Sequence, residues 1–203
     1  MEKRIAQVIS VIFHPLLMPT YMMLLLVRFN FQYPFVLPEN YLNLMTLLAF
    51  LTSFAFPLLI ILLMLKLKMI NSLEMETKRE RALPLLVATG FFYLTYHFFK
   101  QAPYFSLFNI FMIGATLVTS ITLLVTYLYK ISLHMTGMGG VSGALIGISL
   151  TTDQYYLFPI FVLILIAGLT GFARLKLKTH TEAEIYSGFA LGALVMLGLF
   201  LTV

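Results

Sequence analysis

Arg174, His180 and Glu184 follow one another as Arg-x5-His-x3-Glu, a spacing suited to phosphoryl chemistry. On a helix, an i, i+4 pair lies on one face, so Glu184 falls beside His180. A carboxylate in that place holds the imidazole Nδ1–H and fixes the tautomer that leaves Nε2 free as a nucleophile. Arg174 offers a planar fork for phosphate oxygens. Two further polar stretches stand upstream. One is Thr77-Lys78-Arg79-Glu80-Arg81-Ala82-Leu83-Pro84 and the other Ile131-Ser132-Leu133-His134. Cations and histidines gathered at the mouths of apolar segments are costly at a membrane interface and mark function.

The order of a basic-Pro segment, Ser-x-His, then Arg-x5-His-x3-acid resembles the type 2 phosphatidic acid phosphatase (PAP2) superfamily. That family's pattern is Lys-x6-Arg-Pro, Pro-Ser-Gly-His and Ser-Arg-x5-His-x3-Asp. The matching motifs run from about residue 78 to 188, and the PAP2-like core would be about 78–203. The resemblance implies a metal-independent, cofactor-free membrane phosphatase acting on a lipid phosphate or diphosphate through a phosphohistidine. It puts His180 on the nucleophile, His134 on the general acid and Glu184 on the acid that orients the nucleophile. It puts Arg174, Lys78, Arg81 and Ser132 on the phosphate. Ile131 and Leu133 stand where the family has Pro and Gly, Ala173 stands for a serine, and the first motif is compressed. The alternative is a catalytically degenerate relative that binds a lipid phosphate without turnover. A transporter or channel is the weaker third class, because no segment carries an ionisable residue at mid-membrane.

The elements that must position these residues are hydrophobic. Of 203 residues 61% are hydrophobic and 10% charged, and the mean hydropathy is +0.97. Soluble domains run near 45–50% apolar and about 25% charged, so lipid must be the solvent. Seven apolar segments, at about 6–28, 43–65, 82–99, 105–128, 133–151, 155–173 and 183–203, each approach the ~20 residues that cross a bilayer core. The predicted fold is all-α, a polytopic transmembrane bundle of six to seven spans forming a single integral membrane domain, 1–203. The N-terminal run carries His14, Pro15 and Pro19 without a small-residue cleavage site, and reads as a retained first helix. No soluble domain, low-complexity linker or internal repeat stands out.

Seven crossings put Lys3, Arg4, Lys66, Lys68, Lys78, Arg79, Arg81, Lys130, Arg174, Lys176 and Lys178 on one side, 11 of the 13 basic residues. Arg28 and Lys100 lie on the other. The positive-inside rule makes the crowded side, and with it the motif face, cytoplasmic. A bacterial inner membrane is the expected location. The scattered cations give no nucleic-acid signal; the expected partners are the bilayer and a lipid phosphate. The absence of cysteine excludes disulfides and thiolate sites, and four dispersed histidines predict no metal site. His14, before Pro15, reads as a packed histidine at a kink, the alternative being a kink at Pro15 and Pro19 that turns the first helix toward the pocket, and His97 is given no role. Gly139, Gly143 and Gly147, with Gly188 and Gly192, read as close helix packing within the bundle, a homodimer seam being the alternative. The Phe and Tyr residues read as lipid-facing and interfacial belts. A substrate's tail is expected in the bilayer beside the bundle.

Overall fold

The computed structural model describes residues 2–29, 37–73, 78–152 and 156–202, with the backbone alone for Lys78, Arg79 and Pro103. The described residues form helices α1 (Glu2–Ile12), α2 (Met18–Arg28), α3 (Glu39–Phe50), α4 (Phe56–Lys66), α5 (Lys78–Phe99), α6 (Ser106–Leu128), α7 (Leu133–Thr151), α8 (Leu157–Lys176) and α9 (Glu182–Thr202). They make seven stretches long and apolar enough to cross a membrane, because continuous helix satisfies the backbone where no water can. The chain is therefore a polytopic helical membrane protein, and its outer surface is correspondingly apolar: Leu128, Leu157, Phe158 and Tyr186 are each at least 70% exposed.

Two spans are broken by proline chemistry. The first is α1 and α2 joined through a 3₁₀ turn at Pro15–Leu17. His14 caps that turn, its Nδ1 accepting from Leu16 N–H at 3.3 Å. The second is α3 and α4 joined by a π-helical turn at Leu51–Ala55. Pro57 just beyond has no N–H to give, and Phe56 N–H reaches back five residues to Leu51 O. Such π turns recur at functional sites, and this one carries Phe54 to the cavity wall described below.

The central helix is α7, two-thirds buried where the other spans are at most about two-fifths buried. Its partner is α9, and glycines set their separation. A methyl on Gly192 would run into the carbonyl of Thr136, and one on Gly139 or Gly143 into the carbonyls of Phe189 or Ala193. The backbones themselves are thus in contact, which is what small-residue rows permit in membranes. The glycine rows serve packing within this bundle. The interlock also fixes the start of α7 against the start of α9: Ser132 N–H donates to Glu184 O at 3.0 Å. At the opposite end, Phe99 stacks edge-on against Phe105 and Phe108 at 5.7 and 4.9 Å. Phe105 and Phe108 are completely buried, so part of the aromatic content is core, not lipid belt.

A four-residue similarity sits at two helix ends. Leu65-Lys66-Leu67-Lys68 closes α4 and Leu175-Lys176-Leu177-Lys178 closes α8. Both chains turn through a left-handed lysine, Lys68 at φ 58° and Lys178 at φ 57°. Both make the paired hydrogen bonds of a Schellman cap: Lys68 N–H to Leu65 O and Met69 N–H to Met64 O, and Lys178 N–H to Leu175 O and Thr179 N–H to Arg174 O.

Candidate active site

The Arg-x5-His spacing acquires a physical meaning from the second of these caps. Thr179 N–H bonds back to Arg174 O at 3.3 Å, closing the intervening residues into a loop. His180 therefore returns to the neighbourhood of Arg174. The next residue, Thr181, starts α9 through a reciprocal capping box: Glu184 N–H donates to Thr181 Oγ1 at 3.4 Å and Thr181 N–H to Glu184 Oε2 at 3.3 Å. The same Oε2 accepts from His180 Nδ1–H at 2.7 Å. Glu184 is thus both a first-turn acid and the partner of His180, and it leaves Nε2 of the neutral ring as a lone pair.

The His180 side chain is only 4% exposed. Burial above all, with Arg174 and Arg81, pushes its imidazole down to about 4 against the opposing hydrogen bond and charge of Glu184. At neutral pH the ring is uncharged, the state a nitrogen nucleophile requires.

Arg81, His134, Arg174 and His180 line one cavity of about 540 Å³. Arg81 is 4% exposed and donates from Nη1 to Ile131 O at 3.1 Å, which ties α5 to the segment leading into α7. His134 donates from Nε2 to Ser10 O at 3.0 Å, and Arg174 donates from Nη1 to Ser10 Oγ at 3.4 Å. Ser10 of α1 is therefore a shared anchor for two residues that lie 40 apart in sequence. With Nε2–H committed to a carbonyl, the neutral His134 ring presents Nδ1 as its acceptor.

Ser132 is placed differently from the other expected residues. It is fully buried, its Oγ has no hydrogen-bond partner among the described residues, and it is not part of the cavity wall. Its structural role is in its backbone: the N–H meets Glu184 O and the carbonyl receives Thr136 N–H and Oγ1–H. Lys78 opens α5, and its side chain lies outside the described residues.

Two contributors lie outside the residues expected at the site. His14 is packed at a proline break, as expected, yet it also lines the cavity. Its ring centre lies 5.6 Å from that of His134, nearly perpendicular to it. Since Nδ1 accepts from Leu16 N–H, the neutral ring carries its proton on Nε2 as a donor. Ser10 supplies a hydroxyl to Arg174 from a remote helix, where the local sequence has Ala173. The polar residue Ser10 inside an apolar helix was the available signal. Three of the four histidines thus share one cavity, although no group of three His, Asp or Glu among the described residues is arranged to hold a metal ion.

Neither a family model, nor a curated protein, nor a solved structure matches this chain.

Proposed function

We propose that the protein is a membrane phosphatase of lipid phosphates or diphosphates, a divergent relative of the type 2 phosphatidic acid phosphatases, working through a phosphohistidine. The observation that carries this reading is the pairing of His180 with Glu184 at 2.7 Å on the wall of a cavity that also holds Arg174 and Arg81. Phosphoryl transfer asks mainly for positioning and charge stabilisation. His180 Nε2 would bond to phosphorus as the bond from phosphorus to the leaving oxygen breaks. Arg174 and Arg81 would hold the equatorial oxygens, and His14 Nε2–H would add a neutral donor. The neutral ring of His134, whose Nε2–H is held by Ser10 O, would pick up a proton on Nδ1 and hand it to the leaving oxygen. Water would then cleave the phosphorus–nitrogen bond and release phosphate. The charge bias favours a cytoplasmic site in a bacterial inner membrane.

The test is phosphate release from a lipid diphosphate by the purified protein in nanodiscs. The expected activity is sensitive to vanadate, resistant to EDTA and abolished in His180→Ala. Undiminished release by that variant would end the reading.

The hydrogen bond from His134 to Ser10 favours a second reading, that of a degenerate relative that holds a lipid phosphate without cleaving it. Protection of the protein by the diphosphate, without release of phosphate and without a trapped phosphohistidine, is its expected signature.

A further inference from the structure

The charged groups Arg81 and Arg174 stand with His180 at one end of the cavity. Along α5 the wall is formed in turn by Arg81, Leu85, Ala88 and Phe92, and along α6 by Thr122, Val118, Ala115 and Phe111. Eleven residues separate the first and last of each row, which at the helical rise is about 16 Å of depth. That is close to half of the roughly 30 Å hydrocarbon thickness, or one leaflet. The deep part is apolar. Thr119 turns its hydroxyl to the carbonyl of Ala115, and Thr122 stands at the polar end, level with Arg81.

Size decides how much this space can hold. At ~30 Å³ for a water-sized group, 540 Å³ accommodates on the order of eighteen such groups. A phosphate and one chain of about a dozen carbons are of the size that fills it. Charge complementarity puts the anionic head at Arg81 and Arg174 and the chain behind it. An apolar interior with a few convergent polar groups at one end is the ordinary form of a ligand site.

We infer that the cavity takes a single-chain amphiphile with a phosphate head, its one apolar chain housed inside the bundle along the α5 and α6 walls, rather than in the bilayer beside it. This deepens the phosphatase reading and rests on it for the head, while the chain site stands on the cavity's depth and volume.

The experiment uses dodecyl phosphate carrying a terminal photoactivatable diazirine, with the full-length protein in nanodiscs and adducts mapped by mass spectrometry. Adducts are expected on Phe92, Phe111 and Ala115, suppressed by excess unlabelled dodecyl phosphate. Adducts confined to outward residues such as Leu86, Leu117 and Phe172 would overturn the inference. Ala115→Phe fills the deep end and should abolish the interior adducts; Ala88→Leu serves the same purpose if the first variant does not fold. A phosphatidic acid with a diazirine on each chain should label the interior from at most one chain, and labelling from both would overturn the single-chain assignment. Arg174→Ala separates the two readings. Interior labelling that survives it would keep the chain site and discard the phosphate head. Exterior-only labelling in the wild-type protein that Arg174→Ala lowers would keep the head and discard the chain site.

Discussion

The ends of α4 and α8 carry the same four residues and fold into the same cap, yet only one of them feeds the candidate site. Each turn exposes its two lysines. Each reaches φ near 57° through a lysine, where glycine is the usual choice. The difference lies in the flanks. Before the tetrapeptide stands Met64 in one turn and Arg174 in the other; two residues after it stands Ile70 or His180. Ile70 is a core residue, 1% exposed. His180 meets a carboxylate, because α9 starts at once with Glu184 in its first turn. The cap is a local device that brings its two flanks together, and the residues on those flanks decide whether the result is packing or chemistry.

The largest expected effect breaks this parallel at the flank. Arg174→Ala should lower kcat/KM for a lipid diphosphate by about 10²–10³-fold, the usual loss of one preorganised charge donor. Met64→Ala, at the matching position, should leave it within about twofold once stability is corrected for. Equal losses in steady-state assays of the two variants would break the comparison.

A smaller effect is expected from the acid that follows only one turn. Glu184→Gln should slow turnover about 10–100-fold, the worth of a charged hydrogen bond. It should also move the pH profile. The active ring is neutral, and its value lies at about 4, so activity is expected to persist in mild acid and vanish as pH falls through that value. Removing the carboxylate that raises the value shifts this limb further to acid. Stability follows the same sign. An unfolded histidine titrates near 6.5, so the contribution of His180 is complete above that pH and is lost as pH falls from there towards 4. A pH–rate profile of both proteins checks the first, and thermal unfolding across the same range the second.

Next comes the interlock that serves the α8–α9 turn alone. Gly192→Ala forces a methyl into the Thr136 carbonyl. Overpacking of this kind costs typically 1–3 kcal/mol, read as a lowered Tm, and it should reduce activity further by shifting His180 relative to His134. The smallest effect sharpens the likeness. Lys68→Gly and Lys178→Gly each relieve a left-handed residue and should raise stability by up to about 1 kcal/mol, by similar amounts and with little change in activity. Unequal shifts in Tm would mean that the two caps are not energetically alike.

The sequence carried the seven spans because a hydrophobic run of about twenty residues has few fates other than crossing a bilayer. It carried the His180–Glu184 pair because four residues is a local separation, although the pair forms across the capping box that opens α9 and not along a helix face, and it signalled Arg174 through a spacing that a helix cap converts into proximity. The glycine rows were legible as packing, since only small residues let helix backbones touch. Tertiary structure alone decided which helices those glycines join, and hence that His134 and His180 open onto one cavity. It alone brought in Ser10, and it decided between the two readings of His14, because a break at Pro15 leaves no periodic trace of where the broken end will point. It set Ser132 back from the cavity wall, and it left a chain-sized space along α5 and α6. Local patterns fix what a residue's near neighbours can do; a contact across a hundred residues depends on how whole helices pack, which no short window of sequence contains.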